Sequence, residues 1–159
     1  MIKNIKVLAL FSGICILLFI CFVIFIAPGP PKETALIENF NTHRAIFEQL
    51  RDMLETDTNL SRVAKWGVDT QKPFFLGYPS DANFSTNRFQ QYLTLLKQAN
   101  GYMGVRGDGE HADVGVIVWA RGFAGDIRHI GIYWMDQTPT NREDITYKQI
   151  DRNWYLVRD

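Results

Sequence analysis

From Val7 to Ala27 the chain reads VLALFSGICILLFICFVIFIA, about 21 residues without a charge. At roughly 1.5 Å of rise per residue, a helix of that length crosses a hydrocarbon core of about 30 Å. No other stretch of the sequence approaches it. A cleaved signal peptide is the competing reading. The run exceeds an ordinary signal core of about 7–15 residues, and Pro28 directly follows Ala27, where a peptidase would have to cut. Ile14 and Ile20, rather than small residues, precede Cys15 and Cys21, which disfavours a lipoprotein signal. Lys3 and Lys6 occupy the short flank with no acid near them, so the positive-inside rule leaves the N-terminus in the cytoplasm and the remainder outside. The expected organisation is a cytoplasmic stretch at 1–6, a transmembrane helix at 7–27, a proline-rich spacer at 28–33 and an extracytoplasmic domain at 34–159.

Such a domain is long enough for one hydrophobic core without staples. Both cysteines sit in the apolar run, so the domain has no thiol, disulfide or cysteine-based zinc site. The chain carries 17 basic and 17 acidic residues; without Lys3 and Lys6 the balance is 15 against 17. That balance argues against nucleic acid, which requires a basic footprint, and against a polybasic grip on lipid.

Leu36, Ile37, Phe40, Phe47, Leu50 and Leu54 recur at helical intervals, which predicts one helix over 34–54. A strand is expected from Leu60 to Trp66, closed by Gly67. A long connection from Val68 to Phe84 follows, with Phe74, Phe75, Leu76 and Tyr78 pinning it to the core. A second helix reads from Ser85 to Ala99, with Phe89, Tyr92, Leu93 and Leu96 as its stripe and Asn100-Gly101 as its stop. Beyond Gly101 the period drops to two, and β-rich segments fall at 102–106, 114–121, 127–135, 145–150 and 153–158. The expected fold class is α+β: a transmembrane helix, then two helices packed on an antiparallel meander of about four to five strands.

Phe40-Asn-Thr-His-Arg-Ala-Ile-Phe-Glu-Gln-Leu-Arg-Asp-Met-Leu54 and the tail Tyr147–Leu156, reached through Ile117-Val-Trp119 and Gly131-Ile-Tyr133, resemble a group of small, uncharacterised bacterial envelope proteins. Its members combine an N-terminal anchor or lipoprotein signal with an F-x-x-x-R-x-x-F-E-x-L-x-x-M helix and a W-Y-L ending. The resemblance implies a bacterial envelope location and brings no activity. The group's pattern has a lysine before the hairpin glycine, and Ile130 stands there in this chain.

Asp108, Glu110, His111 and Asp113 gather three carboxylates and an imidazole within six residues, donors suited to a hard divalent cation or a general base. They match no calcium loop, and a polar hairpin turn explains them as well. Arg121, Arg128 and His129 flank a Gly122–Asp126 turn, a basic hairpin suited to an anionic ligand or acidic partner. Trp134 and its aromatic neighbours are numerous for a small sheet. Alternation must put one member each of Tyr133-Trp134 and Trp154-Tyr155 on the second face, where uncovered rings would form an interaction platform. Neither a nucleophile motif nor a phosphate loop appears, and no cofactor is called for. The leading reading is a non-enzymatic, membrane-tethered module that binds an envelope protein. A binder of a small ligand or envelope polymer comes second and calls for a concave aromatic pocket between helix and sheet; a metal-assisted hydrolase comes third.

Overall fold

Strand alternation divides the residues after position 101 into two faces, and the register shows how far that division extends. The structure, a computed structural model, describes residues 29–71, 75–100, 103–108, 113–123 and 126–159. The expected span Val7–Ala27 lies outside the described residues. Among the described residues no helix is long and apolar enough to cross a membrane.

Pro31–Asp159 forms one compact α+β unit. Its elements are α1 (Glu33–Thr42), α2 (Arg44–Thr56), β1 (Leu60–Ala64), β2 (Gly67–Thr70), β3 (Phe75–Gly77), α3 (Thr86–Gln98), β4 (Gly104–Asp108), β5 (Asp113–Phe123), β6 (Asp126–Trp134), β7 (Thr146–Asp151) and β8 (Trp154–Arg158). The eight strands of the described residues pair antiparallel in the order β3-β2-β1-β4-β5-β6-β8-β7. The sheet is therefore larger than the expected meander of four to five strands. The difference arises at Gly67, which follows the Lys65-Trp66 turn and begins β2 rather than ending a strand; its Cβ position lies against the Gly77 carbonyl, a fit only glycine allows. Tyr78, expected to pin this segment inward, is 71% exposed. The side chains of Phe74, Phe75 and Leu76 lie outside the described residues.

The expected single first helix is two. Its break falls at His43 (φ −115°, ψ 23°), where the apolar stripe lapses. The Thr42 hydroxyl donates to the Glu38 carbonyl at 2.8 Å, and the His43 ring lies 3.1 Å from that of Asn39. The His43 N–H keeps its helical bond to the Asn39 carbonyl at 3.0 Å and also reaches that of Phe40 at 3.2 Å, a tightened last turn, and the next helix starts on the His43 carbonyl, which accepts from Ile46 and Phe47 N–H. The bend lets Phe40 and Phe47 meet edge to face at 5.3 Å and both pack on Trp154. The second expected helix is α3, capped by the Ser85 hydroxyl, which accepts from Arg88 N–H, and stopped at Asn100, whose φ of 68° leaves the helical region.

One apolar row crosses the sheet in register: Val68, Val63, Val105, Val116, Ile132 and Leu156. All six are buried beneath helix residues that include Leu36, Phe40, Phe47, Leu50, Tyr92 and Leu96. The helix α2 runs across the strands. Arg44 pairs with Asp151 of β7, Phe47 packs on Trp154 of β8, and Arg51 lies over Trp134 of β6. Three to four residues of helix advance about 5 Å, close to the spacing between neighbouring strands.

The helix C-terminus is tied down by Asp57, which accepts from Arg88 Nε at 2.9 Å and from the buried Tyr92 hydroxyl at 2.8 Å. Burial first, and Asp57 second, push the Tyr92 phenol well above its ordinary value. A phenol raised in the folded state leaves stability unaffected below about pH 10, where both states hold the proton. Above that the unfolded chain releases it first. Stability is therefore expected to fall by up to about 1.4 kcal/mol per pH unit for this group. Urea melts at pH 9 and pH 11 should show the drop, and Tyr92→Phe should make it smaller.

Candidate functional site

Two strand ends and two faces organise the candidate residues. At one end lie the β1–β2 turn, Gly77, Gly104, the β5–β6 connection and the start of β7. At the other lie Thr70, the β4–β5 connection, Trp134 and the β7–β8 turn. The sequence-flagged Arg121, Arg128, His129 and Trp134 do not converge. Arg121 and Arg128 stand directly opposite each other, while His129 pairs with Ala120 on the other face. The irregularity between Ile117 and Trp119 inserts Val118 as an extra residue and turns Trp119 and Arg121 to the helix side. Trp134 lies at the far end of β6.

His129 joins a different group. Its Nδ1 is 2.5 Å from Asp159 Oδ2, its Nε2 is 3.4 Å from the Tyr133 hydroxyl, and Arg106 hydrogen-bonds the same phenol. Nδ1 donates to the carboxylate, which holds the ring against the phenol. The Tyr133 ring lies flat over Gly115 and Gly131, where any Cβ would fall within 2.3 Å of its carbons. Burial raises the phenol above its ordinary value; Arg106 opposes the rise and Asp159 adds to it. A phenol so held stays protonated at neutral pH and is no base. The chain of contacts ties β4, β6 and the end of β8 together.

Among the described residues this face carries no exposed aromatic platform of the kind expected. Tyr133 and Tyr155 do turn away from the helices, as alternation requires, but are only 8% and 5% exposed. With Met135 and Val157 they make a second small core, closed by Ile145 and Tyr147. The start of β7 covers what two helices alone would have left bare.

Of the suggested metal quartet, Glu110 and His111 lie outside the described residues. Asp108 and Asp113 face each other in register as the last and first residues of β4 and β5. Among the described residues no three His, Cys, Asp or Glu side chains gather as a metal site would need.

A cleft of about 480 Å³ opens where α2 overhangs the end of the sheet. Trp134, half-buried, forms part of its wall, with the Arg51 guanidinium 5.1 Å from the ring centre. Arg44 and Glu48 line it from the helix, bonded to each other at 2.9 Å, and Asp136, Arg152 and Asn153 line it from the strand ends. Arg44 also pairs with Asp151, and Arg51 with Asp52 and Glu55. The Arg152 side chain is exposed and, among the described residues, has no ion pair. A larger groove of about 640 Å³ between α2 and α3 has no aromatic wall, and its one cation, Arg88, is committed to Asp57.

No protein family, curated protein or solved structure matches this chain. The candidate site therefore rests on its own geometry. Of its residues, sequence reasoning reached Trp134. Arg51 was hidden as an ordinary polar position on an amphipathic helix, and Arg152 as a turn residue. The i, i+7 spacing of Arg44 and Arg51 on one helix face was the available signal.

Proposed function

We propose that the chain is a single-pass protein of the bacterial inner membrane, N-terminus inside, whose extracytoplasmic α+β domain acts by binding an envelope protein rather than by catalysis. The charge-free Val7–Ala27 run supports the tether. The observation that carries the binding role is the cleft, where the uncommitted Arg152 guanidinium and the Trp134 ring, with Arg51 lying over it, line one concavity. Tryptophan and arginine are the side chains that dominate protein recognition sites. An acidic segment fits best, with a carboxylate meeting Arg152. A small ligand or envelope polymer is the second reading, favoured by a volume within the ordinary range of ligand pockets, about 300–1,000 Å³.

Photo-crosslinking in living cells tests this, with the reactive group in place of Asn153. A discrete protein adduct is expected, reduced about tenfold by Arg152→Glu, which corresponds to about 1.4 kcal/mol. An adduct indifferent to that substitution would remove the acidic-segment reading. Adducts containing envelope polymer and no protein would favour the second.

A further inference from the structure

The three large apolar side chains most exposed among the described residues share one end of the sheet. Trp66 is 45% exposed, Tyr78 71% and Ile127 60%. Trp66 belongs to the β1–β2 turn, and Tyr78 follows Gly77, whose carbonyl lies against Gly67. Ile127, near the start of β6, lies beyond Gly131, which shares a row with Ala64 through Ile117 and Gly104. The opposite end, where the cleft opens, has no exposed apolar side chain of this size among the described residues.

The charges of this end have a pattern too. Of its described acids, Glu33 pairs with Lys148 and Arg158 and Asp159 with His129, while Glu143 and Asp144, just before β7, are exposed beside the equally exposed Arg142. Lys65, Arg121 and Arg128 are exposed and, among the described residues, without ion pairs. Arg121 and Arg128 face each other across β5 and β6, a like-charge pair that costs stability until an anion intervenes. Asp126 also belongs to this end, at the first position of β6. The Glu33 pairs set the start of α1 beside Arg158, so the chain enters the compact unit at this same end.

We propose that this end of the sheet rests on the membrane surface, with Trp66, Tyr78 and Ile127 in the interfacial layer and Lys65, Arg121 and Arg128 against anionic headgroups. Tryptophan and tyrosine favour that layer because they join an apolar body to a polar tip. Each cation near an anionic surface adds a modest attraction, so three are a supplement to the aromatic contact rather than a polybasic grip. The inference rests on the tether reading. A spacer over 28–33 extends at most about 20 Å, which would keep the entry end close to the bilayer. The cleft at the opposite end would then point into the extracytoplasmic space.

Tryptophan quenching in the full chain tests this, because all four tryptophans, Trp66, Trp119, Trp134 and Trp154, fall after the apolar run. The chain would be reconstituted into phosphatidylethanolamine–phosphatidylglycerol vesicles carrying a lipid brominated near its headgroup. Up to about a quarter of the emission should be quenched, one tryptophan of four. The loss should vanish in Trp66→Phe and shrink in Lys65→Glu/Arg128→Glu. Equal quenching with and without Trp66, or none while the chain stays in vesicles after alkaline extraction, overturns the docking proposal and leaves the tether intact. Release of the chain by alkaline extraction overturns the tether, and the docking proposal with it.

Discussion

Trp154→Ala is expected to cost about 3–5 kcal/mol, the range for removing a large aromatic side chain from a packed core. Its side chain is 3% exposed and stands where Phe40 of α1 and Phe47 of α2 meet, at 5.2 and 6.1 Å between ring centres. Both faces of the helix break rest on it. The loss should exceed that from Phe40→Leu and should appear as a lower urea midpoint for the domain. The consequence for binding follows from position: Trp154 also borders the cleft below α2. A variant that still folds should crosslink less from position 153, because α2 and the β7–β8 turn would no longer share a wall. Retention of full stability by Trp154→Ala would contradict the packing of α1 and α2 on this residue.

Gly115→Ala is the second large effect. A Cβ at Gly115 would fall 2.1 Å from the Tyr133 ring, and the ring must leave its place over the sheet. Overpacking of this kind costs typically about 1–3 kcal/mol. The displaced phenol also loses its contacts with His129 and Arg106. A double-mutant cycle separates this clash from any general intolerance of β5: in a Tyr133→Ala background, Gly115→Ala should cost less than about 0.5 kcal/mol. A cost unchanged in that background would show that Tyr133 is not what makes glycine necessary there.

Gly115 illustrates what could be read in advance. In sequence it is one glycine in a β-rich segment, and nothing local pairs it with a tyrosine 18 positions later. The cross-strand register makes the pair. Helical and strand periods, by contrast, are local properties. Phe89, Tyr92 and Leu96 announced α3, and the switch of period after Gly101 announced β4 to β8. Where the prediction failed, a short-range signal was ambiguous. Thr42-His43-Arg44 read as a polar interruption within one helix, yet the backbone tightens there, His43 N–H reaching both the Asn39 and Phe40 carbonyls, and the helix ends. Gly67 read as a terminator, yet it was the close packing of its backbone on Gly77 that gave it meaning.

The candidate site was legible only in fragments for the same reason. The basic-hairpin group of Arg121, Arg128 and His129 depended on a face assignment that one inserted residue, Val118, redirects, and that consecutive residues such as Arg128 and His129 could never share. The cleft joins Arg51 of α2 to Trp134 of β6 and Arg152 of the last turn, three positions separated by more than 80 residues of chain at the widest step.

The order of residues by itself determined the α+β class, the long uncharged run that predicts a membrane anchor, and which side chains are apolar enough to be buried, because hydrophobic period and composition act over neighbouring positions. Tertiary structure alone decided the eight-strand order, the closure of the second face by Ile145 and Tyr147, and the separation of the end that exposes Trp66, Tyr78 and Ile127 from the cleft. Those depend on register and on helix placement, set by contacts between residues far apart in the chain.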